Sequence, residues 1–415
     1  MPSHAPHAAP RLLALAVLAT TGIVARSSWG QCPPSFDTAR HTAAVFGPER
    51  PVVADFDGDG RDDVAYVPSA STLGLHIHWG LGDGTLEPPA FIFPTARVAL
   101  RSGDFNGDGS PDLVFSEPGP PTTLRVLLSG PGRTFSPGSP APLVTTTFLT
   151  DITVGDFDGD GHPDVAGISF GPPQMLCFAR GDGAGNLSPG PSMTLSPPPG
   201  QAAINIATAR IDDHSGDEFL VTMSDSGGTR ILVGRLNDWS TPPDIVATHD
   251  LAMSHARIAV ADLNADGRDD LVVPFRLPNN LAGVAVLSGT EAGDLEGPRT
   301  FLAGTNTPLA VATADLDGDG DVDVITTRPT FRVWINDGSG SLSPSLFDNA
   351  PVGTLSATTG DFDRDGRTDL VFTTTIGPNT IDIIPATGPL APVRPLLDPI
   401  YTCPGSAFNV QVFIP

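Results

Sequence analysis

Six nine-residue segments of the chain place oxygen-bearing side chains at the same four positions, the first, third, fifth and ninth. They are Asp55, Asp57, Asp59 and Asp63; Asp104, Asn106, Asp108 and Asp112; Asp156, Asp158, Asp160 and Asp164; Asp262, Asn264, Asp266 and Asp270; Asp315, Asp317, Asp319 and Asp323; and Asp361, Asp363, Asp365 and Asp369. Position 6 is always glycine, which lets the backbone reverse. The next residue, Arg61, Ser110, His162, Arg268, Asp321 or Arg367, can then turn its carbonyl inward. Three or four carboxylates within nine residues repel one another strongly. A hard cation with six to eight oxygen ligands removes that repulsion, and calcium accepts the irregular geometry of a chain turn better than magnesium does. The expectation is about six calcium ions, one per intact loop.

Two other readings of the loops are weaker. Asp/Gly turns can satisfy their own backbone as Asx-turns, but that alone does not require the same four oxygen positions six times over. A helical calcium hand needs a bidentate acid at position 12, where the first loop has Tyr66 inside a strand-like run. A seventh, decayed copy begins at Arg210, with Asp212, His214 and Glu218 at positions 3, 5 and 9. There the Arg210 guanidinium is expected to replace the ion with a salt bridge.

The elements that must carry these loops follow from their period. Successive copies start 49, 52, 54, 52, 53 and 46 residues apart, which fits one four-stranded blade per copy. Short β-branched runs flank each loop, such as Val52-Val53-Ala54 before the first and Val64-Ala65-Tyr66-Val67 after it. A third run follows, for example Leu75 to Trp79, Leu124 to Leu128 or Phe331 to Ile335, and leads into a glycine hairpin. The fold class is therefore all-β: a seven-bladed β-propeller of four-stranded antiparallel blades, expected over residues 31–390. Phe36 to Phe46 precedes the first loop where other copies carry an outer strand, so it could complete the last blade, although the segment after about Gly388 could supply that strand itself. Residues 391–415 read as either a closing strand or a short extension.

Composition agrees: 46 glycines and 44 prolines break long helices, while 40% hydrophobic residues suffice for a core. The net charge is −25, and six divalent ions would reduce it to −13. All 22 basic residues are arginine, so no lysine-rich patch exists to follow a phosphate backbone, and neither nucleic acid nor an anionic membrane is an expected partner. Arg11 and the apolar run from Leu12 to about Val24 read as an export signal over residues 1–30, cleaved near Gly30. The mature chain is expected to be secreted or extracytoplasmic, at the cell surface or in the periplasm, without membrane insertion and as a monomer. Cys32 and Cys403 could staple the two ends of the ring, and Cys177 reads as a buried strand thiol.

Segments such as Val154-Gly155-Asp156-Phe157-Asp158-Gly159-Asp160-Gly161 and Thr359-Gly360-Asp361-Phe362-Asp363-Arg364-Asp365-Gly366 resemble the FG-GAP/VCBS repeats of integrin α-subunits and bacterial secreted proteins. The resemblance covers residues 36 to 390 and implies calcium loops joining the first two strands of each blade, on one face of the disc. Such blades serve adhesion proteins, lectins and enzyme accessory domains, so fold alone does not name an activity. The expected function is a non-catalytic adhesion or binding scaffold for a protein or glycan partner. The alternatives are a catalytic or accessory propeller of polysaccharide metabolism, resembling the lyases, or a propeller lectin. No convergent catalytic set stands out: no G-x-S-x-G or H-E-x-x-H is present, and Trp29, Trp79, Trp239 and Trp334 are widely spread. His76 and His78 share a strand face, expected to be exposed rather than metal-binding. Arg180-Gly181-Asp182 falls on a hairpin and reads as a turn.

Overall fold

In each copy an inner strand ends in a small residue (Ala54, Gly103, Gly155, Ala209, Ala261, Ala314 or Gly360), the loop follows, and its ninth position opens the next strand. A computed structural model describes residues 34–388, apart from residues 46, 70–73, 120, 144, 146, 226, 256, 278, 305–307, 309, 328–330, 347–353 and 375–378. Seven antiparallel sheets form the blades. The first blade comprises Pro48–Ala54, Asp63–Pro68, Leu75–His78 and Ala90–Phe93, paired in that order. The third and fourth repeat the pattern with Leu149–Gly155, Asp164–Ser169, Gln174–Gly181 and Leu187–Leu195, then Ala202–Ala209, Glu218–Ser224, Thr229–Arg235 and Asp244–Leu251. Two blades vary it. The outer strand of the second is split into Thr134–Pro137 and Ala141–Pro142, and the inner strand of the fifth into Ser254–His255 and Ala259–Ala261.

The last blade is completed from the start of the chain. Arg40–Ala43 pairs antiparallel with Thr380–Ile384, with His41 opposite Asp382. Phe36 bridges to Ala386 beyond this ladder. Of the two closures the sequence leaves open, the one by the segment Phe36 to Phe46 is thus observed in its described part. The signal segment, Cys32, Cys403, Trp29 and residues 391–415 lie outside the described residues.

The core lies in seven seams between adjacent blades rather than in one central mass. Each seam contains the position 2 residue of one loop: Phe56, Phe105, Phe157, Ile211, Leu263, Leu316 or Phe362, all buried. Phe157, for example, meets Phe178 edge-on at 5.3 Å between ring centroids, and Phe178 meets Phe219 of the next blade at 5.4 Å. Burying a phenylalanine contributes about 1.5–3 kcal/mol, so every loop anchors the seam beneath it. The seam also explains the small residue before the loop. A Cβ on Gly155 would sit 2.4 Å from Thr208 Cγ2 of the neighbouring blade. Inner strands of successive blades contact one another all the way round, enclosing an axial channel.

His76 and His78 depart from the expectation of an exposed face. Both are buried, at 7% and 0% exposure, and stack on Tyr66 with centroid distances of 5.7 and 5.6 Å. Here both faces of the strand are covered by packed sheets, so alternation carries no information about exposure. Cys177 is a buried thiol in the third blade, as expected.

Candidate metal centres

Every aspartate loop is wound by its own side chains. In the first, Asp55 accepts N–H bonds from Gly58 (2.8 Å) and Asp59 (3.1 Å) at Oδ1 and from Gly60 (2.7 Å) at Oδ2. Asp57 accepts from Asp59 N (3.1 Å), and Asp59 from Arg61 N (3.0 Å). Gly58 and Gly60 hold φ of 73° and 79°, the left-handed conformations that let the chain coil around position 1. The last of these bonds recurs in every intact loop. Ser110, His162, Arg268, Asp321 and Arg367 donate N–H to Asp108, Asp160, Asp266, Asp319 and Asp365 at 2.8 to 2.9 Å. In the two loops with asparagine, Asn106 and Asn264 accept from Asp108 N and Asp266 N, both at 2.9 Å.

Position 9 lies beneath the loop, buried at the first residue of the second strand. Asp63 Oδ2 accepts the N–H of Phe56 at 3.0 Å, and Oδ1 accepts that of Gly80 at 2.8 Å. Asp112, Asp164, Asp270, Asp323 and Asp369 repeat both bonds. One carboxylate therefore ties the loop both to its own start and to the hairpin after the third strand. Burial, reinforced by the neighbouring carboxylates, pushes Asp63 and Asp164 up to about 7, Asp112 and Asp369 to about 6 and Asp323 to about 8, and raises Asp270.

These turn bonds do not exhaust the loops. Each carboxylate oxygen has two lone pairs, and four loops bring three carboxylates together. In the sets Asp55, Asp57, Asp63; Asp156, Asp158, Asp164; Asp315, Asp317, Asp323; and Asp361, Asp363, Asp365, one oxygen from each residue lies within 4.8 Å of the others. Asp317 Oδ2 is buried with no hydrogen-bond partner, and burial followed by the Asp319 charge raises this carboxyl to about 7. An all-oxygen donor set with an orphaned buried oxygen fits a hard cation such as calcium and does not suit a thiolate- or imidazole-seeking metal.

Arginines take up part of the negative charge at the loop rims. Arg133, from the second blade, reaches Asp57 (3.0 Å) and Glu87 (2.9 Å) of the first, with its guanidinium 4.7 Å from the Trp79 ring centroid. Arg180 contacts Asp158 (2.8 Å) and Asp160 (2.9 Å), and Trp239 of the fourth blade donates its indole N–H to Asp158. Arg180 thus serves the third loop. Asp182 meanwhile accepts N–H bonds from Ala184 (2.8 Å) and Asn186 (3.0 Å), which places the Arg-Gly-Asp tripeptide in a hairpin turn.

The decayed copy keeps the register and changes the cation. Ile211 N donates to Glu218 at 2.9 Å, as Phe56 N does to Asp63. The guanidinium facing Asp212 is that of Arg235, at 3.6 Å, and Arg235 also meets His214 at 3.0 Å. Arg210 points instead to Asp217, at 3.5 Å. The expected replacement by Arg210 is therefore corrected: strand Thr229–Arg235 ends over this loop and delivers its last side chain there.

One set of residues escaped the sequence reading. Position 8 is aspartate in the first, fourth and fifth copies, and each of these reaches back to the preceding loop. Asp62 accepts the N–H of Asp361 (2.7 Å), Asp217 that of Asp156 (2.9 Å) and Asp269 that of Arg210 (2.8 Å). The first of these ties the ring across its closure. A carboxylate at position 8, unneeded for a cation, was the available signal.

Comparison with known families matches the FG-GAP-like repeat over residues 55–115, 104–167 and 315–372. Comparison with curated proteins found no match. An FG-GAP propeller fold supports a binding or scaffold role in general terms. No helix among the described residues is long and apolar enough to cross a membrane.

Proposed function

We propose that this chain, an FG-GAP-like repeat β-propeller, is a secreted calcium-braced scaffold that binds an extracellular protein or glycan without catalysis. The observation that carries the metal reading is the convergence of three carboxylates within 4.8 Å in four similarly wound loops, with Asp317 Oδ2 left unpartnered in one of them. Positions 1, 3, 5 and 9 and the position 7 carbonyl would hold the ion. A bound divalent cation supplies fixed positive charge that cancels the repulsion inside each loop.

The ions act as braces. Each loop links the first two strands of a blade and anchors a seam through its position 2 residue, so filling the loop stabilises the disc without moving it. The buried position 9 carboxylates reinforce this, because ionising them in place needs a compensating charge. Partner recognition then falls to the loops and hairpins at the rims of a rigid ring. The export-signal reading of residues 1–30 supports placing this activity outside the cytoplasm, where calcium is abundant.

Metal content measured after dialysis against calcium should approach six ions per chain, and Asp317→Ala, which leaves no oxygen at position 3 of its loop, should lower it by one. No calcium retained, or the same count in the variant, would sink the metal reading. A glycan and protein binding screen with and without calcium then tests the scaffold reading; turnover of a polysaccharide in that screen would replace it with the enzymatic one.

A further inference from the structure

Position 3 is not loaded alike in loops of the same composition. In the fifth intact loop, Asp317 Oδ1 accepts the N–H of Asp319 at 3.3 Å and Oδ2 has no hydrogen-bond partner. In the first, Asp57 Oδ1 accepts the N–H of Asp59, and Oδ2 takes one charged donor, Arg133 Nε, at 3.0 Å. In the third, Asp158 Oδ1 accepts the N–H of Asp160 at 3.2 Å, while Oδ2 meets the Arg180 guanidinium at 2.8 Å and also accepts the indole N–H of Trp239. Arg180 reaches on to Asp160 Oδ2 at 2.9 Å. A carboxylate oxygen has two lone pairs, so two close partners leave Asp158 Oδ2 no room for a third. All three loops have aspartate at positions 1, 3, 5 and 9, so the difference lies in what surrounds them.

The two partners of Asp158 come from different blades. Arg180 sits at the end of Gln174–Gly181 in the third blade, and its side chain is 44% exposed, so it can leave the loop without opening the core. Trp239 belongs to the fourth blade, in the hairpin between Thr229–Arg235 and Asp244–Leu251. It is half-buried and packs on the seam between the two blades. A Cβ on Gly190, in the outer strand of the third blade, would sit 2.4 Å from the indole, so glycine there makes room for the ring. The Arg180 guanidinium lies 5.8 Å from the Trp239 ring centroid. Guanidinium, indole and carboxylate thus form one contact set that joins two blades over a loop whose positions 1, 3 and 9 converge within 4.8 Å.

We propose that Arg180 and Trp239 set the calcium affinity of the third loop: the guanidinium is a resident counterion that calcium must displace from Asp158 and Asp160, and Trp239 carries the change to the fourth blade. The inference rests on the calcium reading of the loops. A guanidinium and a divalent ion a few ångströms apart repel each other, so the two compete for the same carboxylates. In the empty loop Arg180 offsets the repulsion among the aspartates. In the filled loop the ion takes over that role, Arg180 turns to solvent, and the indole N–H must share or give up its acceptor. The exchange moves two side chains and no strand, in keeping with a rigid disc. It makes the third loop responsive to the calcium level, with Arg180 as the residue that sets the threshold.

The test is a calcium titration of the whole mature protein, followed by tryptophan emission and, in parallel, by direct metal analysis. The part of the emission change that is missing from Trp239→Phe reports the third loop. Its midpoint should move to about tenfold lower calcium in Arg180→Gln, the scale of one charge-assisted contact. It should stay in place in Arg230→Gln, which removes the same charge from a surface pair with Asp250. Melts separate competition from packing. Arg180→Gln should melt below the wild-type protein in excess chelator, where the guanidinium is the loop's counterion, and no lower in saturating calcium. An unchanged midpoint in Arg180→Gln, a Trp239 emission that ignores calcium in a protein shown to hold the metal, or an equal loss of stability with and without calcium would each overturn the proposal and leave the calcium reading standing. No calcium held by any loop would overturn both.

Discussion

Stripped of divalent cations, the propeller should be less stable at pH 8 than at pH 5. The position 9 carboxyls decide the sign. In the folded ring Asp63 and Asp164 are raised from 3.8 to about 7, Asp323 to about 8, and Asp112 and Asp369 to about 6, with burial the largest cause. Between about pH 4 and those values the folded chain holds more protons than the unfolded one, so stability falls as pH rises. One unit corresponds to about 1.4 kcal/mol, and full shifts at five sites would exceed the ~5–15 kcal/mol by which domains are stable. The effective dielectric even at buried sites is well above that of a dry interior, so roughly 1 kcal/mol per site, or about 5 kcal/mol in all, is the expected scale. With ~2.1 cal/mol/K of unfolding entropy per residue over some 350 residues, this corresponds to about 5–10 °C in melting temperature. Saturating calcium should abolish or reverse the trend, and calcium addition near pH 6.5 should release protons. Melts in excess chelator at pH 5 and 8, each repeated with calcium, provide the assay. A chelated protein as stable at pH 8 as at pH 5, or a calcium effect of equal size at both, would refute the reasoning.

Other outcomes are expected from single sites. Phe157→Ala, which opens the seam where Phe157 meets Phe178, should cost about 3–5 kcal/mol in urea unfolding. Asp62→Ala leaves the Asp361 N–H without its acceptor and should cost about 1–2 kcal/mol, with Asp62→Asn restoring most of it through its amide oxygen. Cys177 is 2% exposed, with its thiol pushed up to about 12 by burial. In a chain with Cys32 and Cys403 replaced by serine, it should react with a thiol reagent only as the protein unfolds, and prompt labelling of the folded protein would contradict its placement.

Most of the architecture was legible because loop and strand obey different local rules. Asp55 to Asp63 is set by turn chemistry and Val64 to Val67 by β-propensity, and their repetition at a blade-length interval needs no long-range information. The closing strand was legible only as one of two candidates, since Arg40–Ala43 occupies an outer-strand slot in the period but the segment after about Gly388 could fill it equally well. What the sequence concealed depends on contacts between blades. Arg235 and Arg210 are both arginines near a broken loop, and only the end of strand Thr229–Arg235 decides which one meets Asp212. His76 and His78 alternate with apolar neighbours as an exposed face would, yet the adjoining seam covers them. The lining of the axial channel by Asp151 and Ser356 was hidden by register shifts, which detach a side chain's direction from its parity along the strand.

The clasp between Arg40–Ala43 and Thr380–Ile384 also dictates an order of assembly. His41 and Asp382, joined at 2.7 Å, are 341 residues apart in the chain. Closing so long a loop is entropically costly, and distant pairings of this kind are slow to form. Six blades can be assembled from neighbouring strands as synthesis proceeds, but the earliest of the described strands has no partner until the last blade is made. Until then the ring is an open arc with two raw flanks, one on the first blade and one on the last, exposing the surfaces that later share Tyr66 and Phe362. Damage to the final hairpin should therefore leave the early blades largely formed while exposing both flanks to other chains. Its characteristic failure would be association of arcs rather than unfolding of discs.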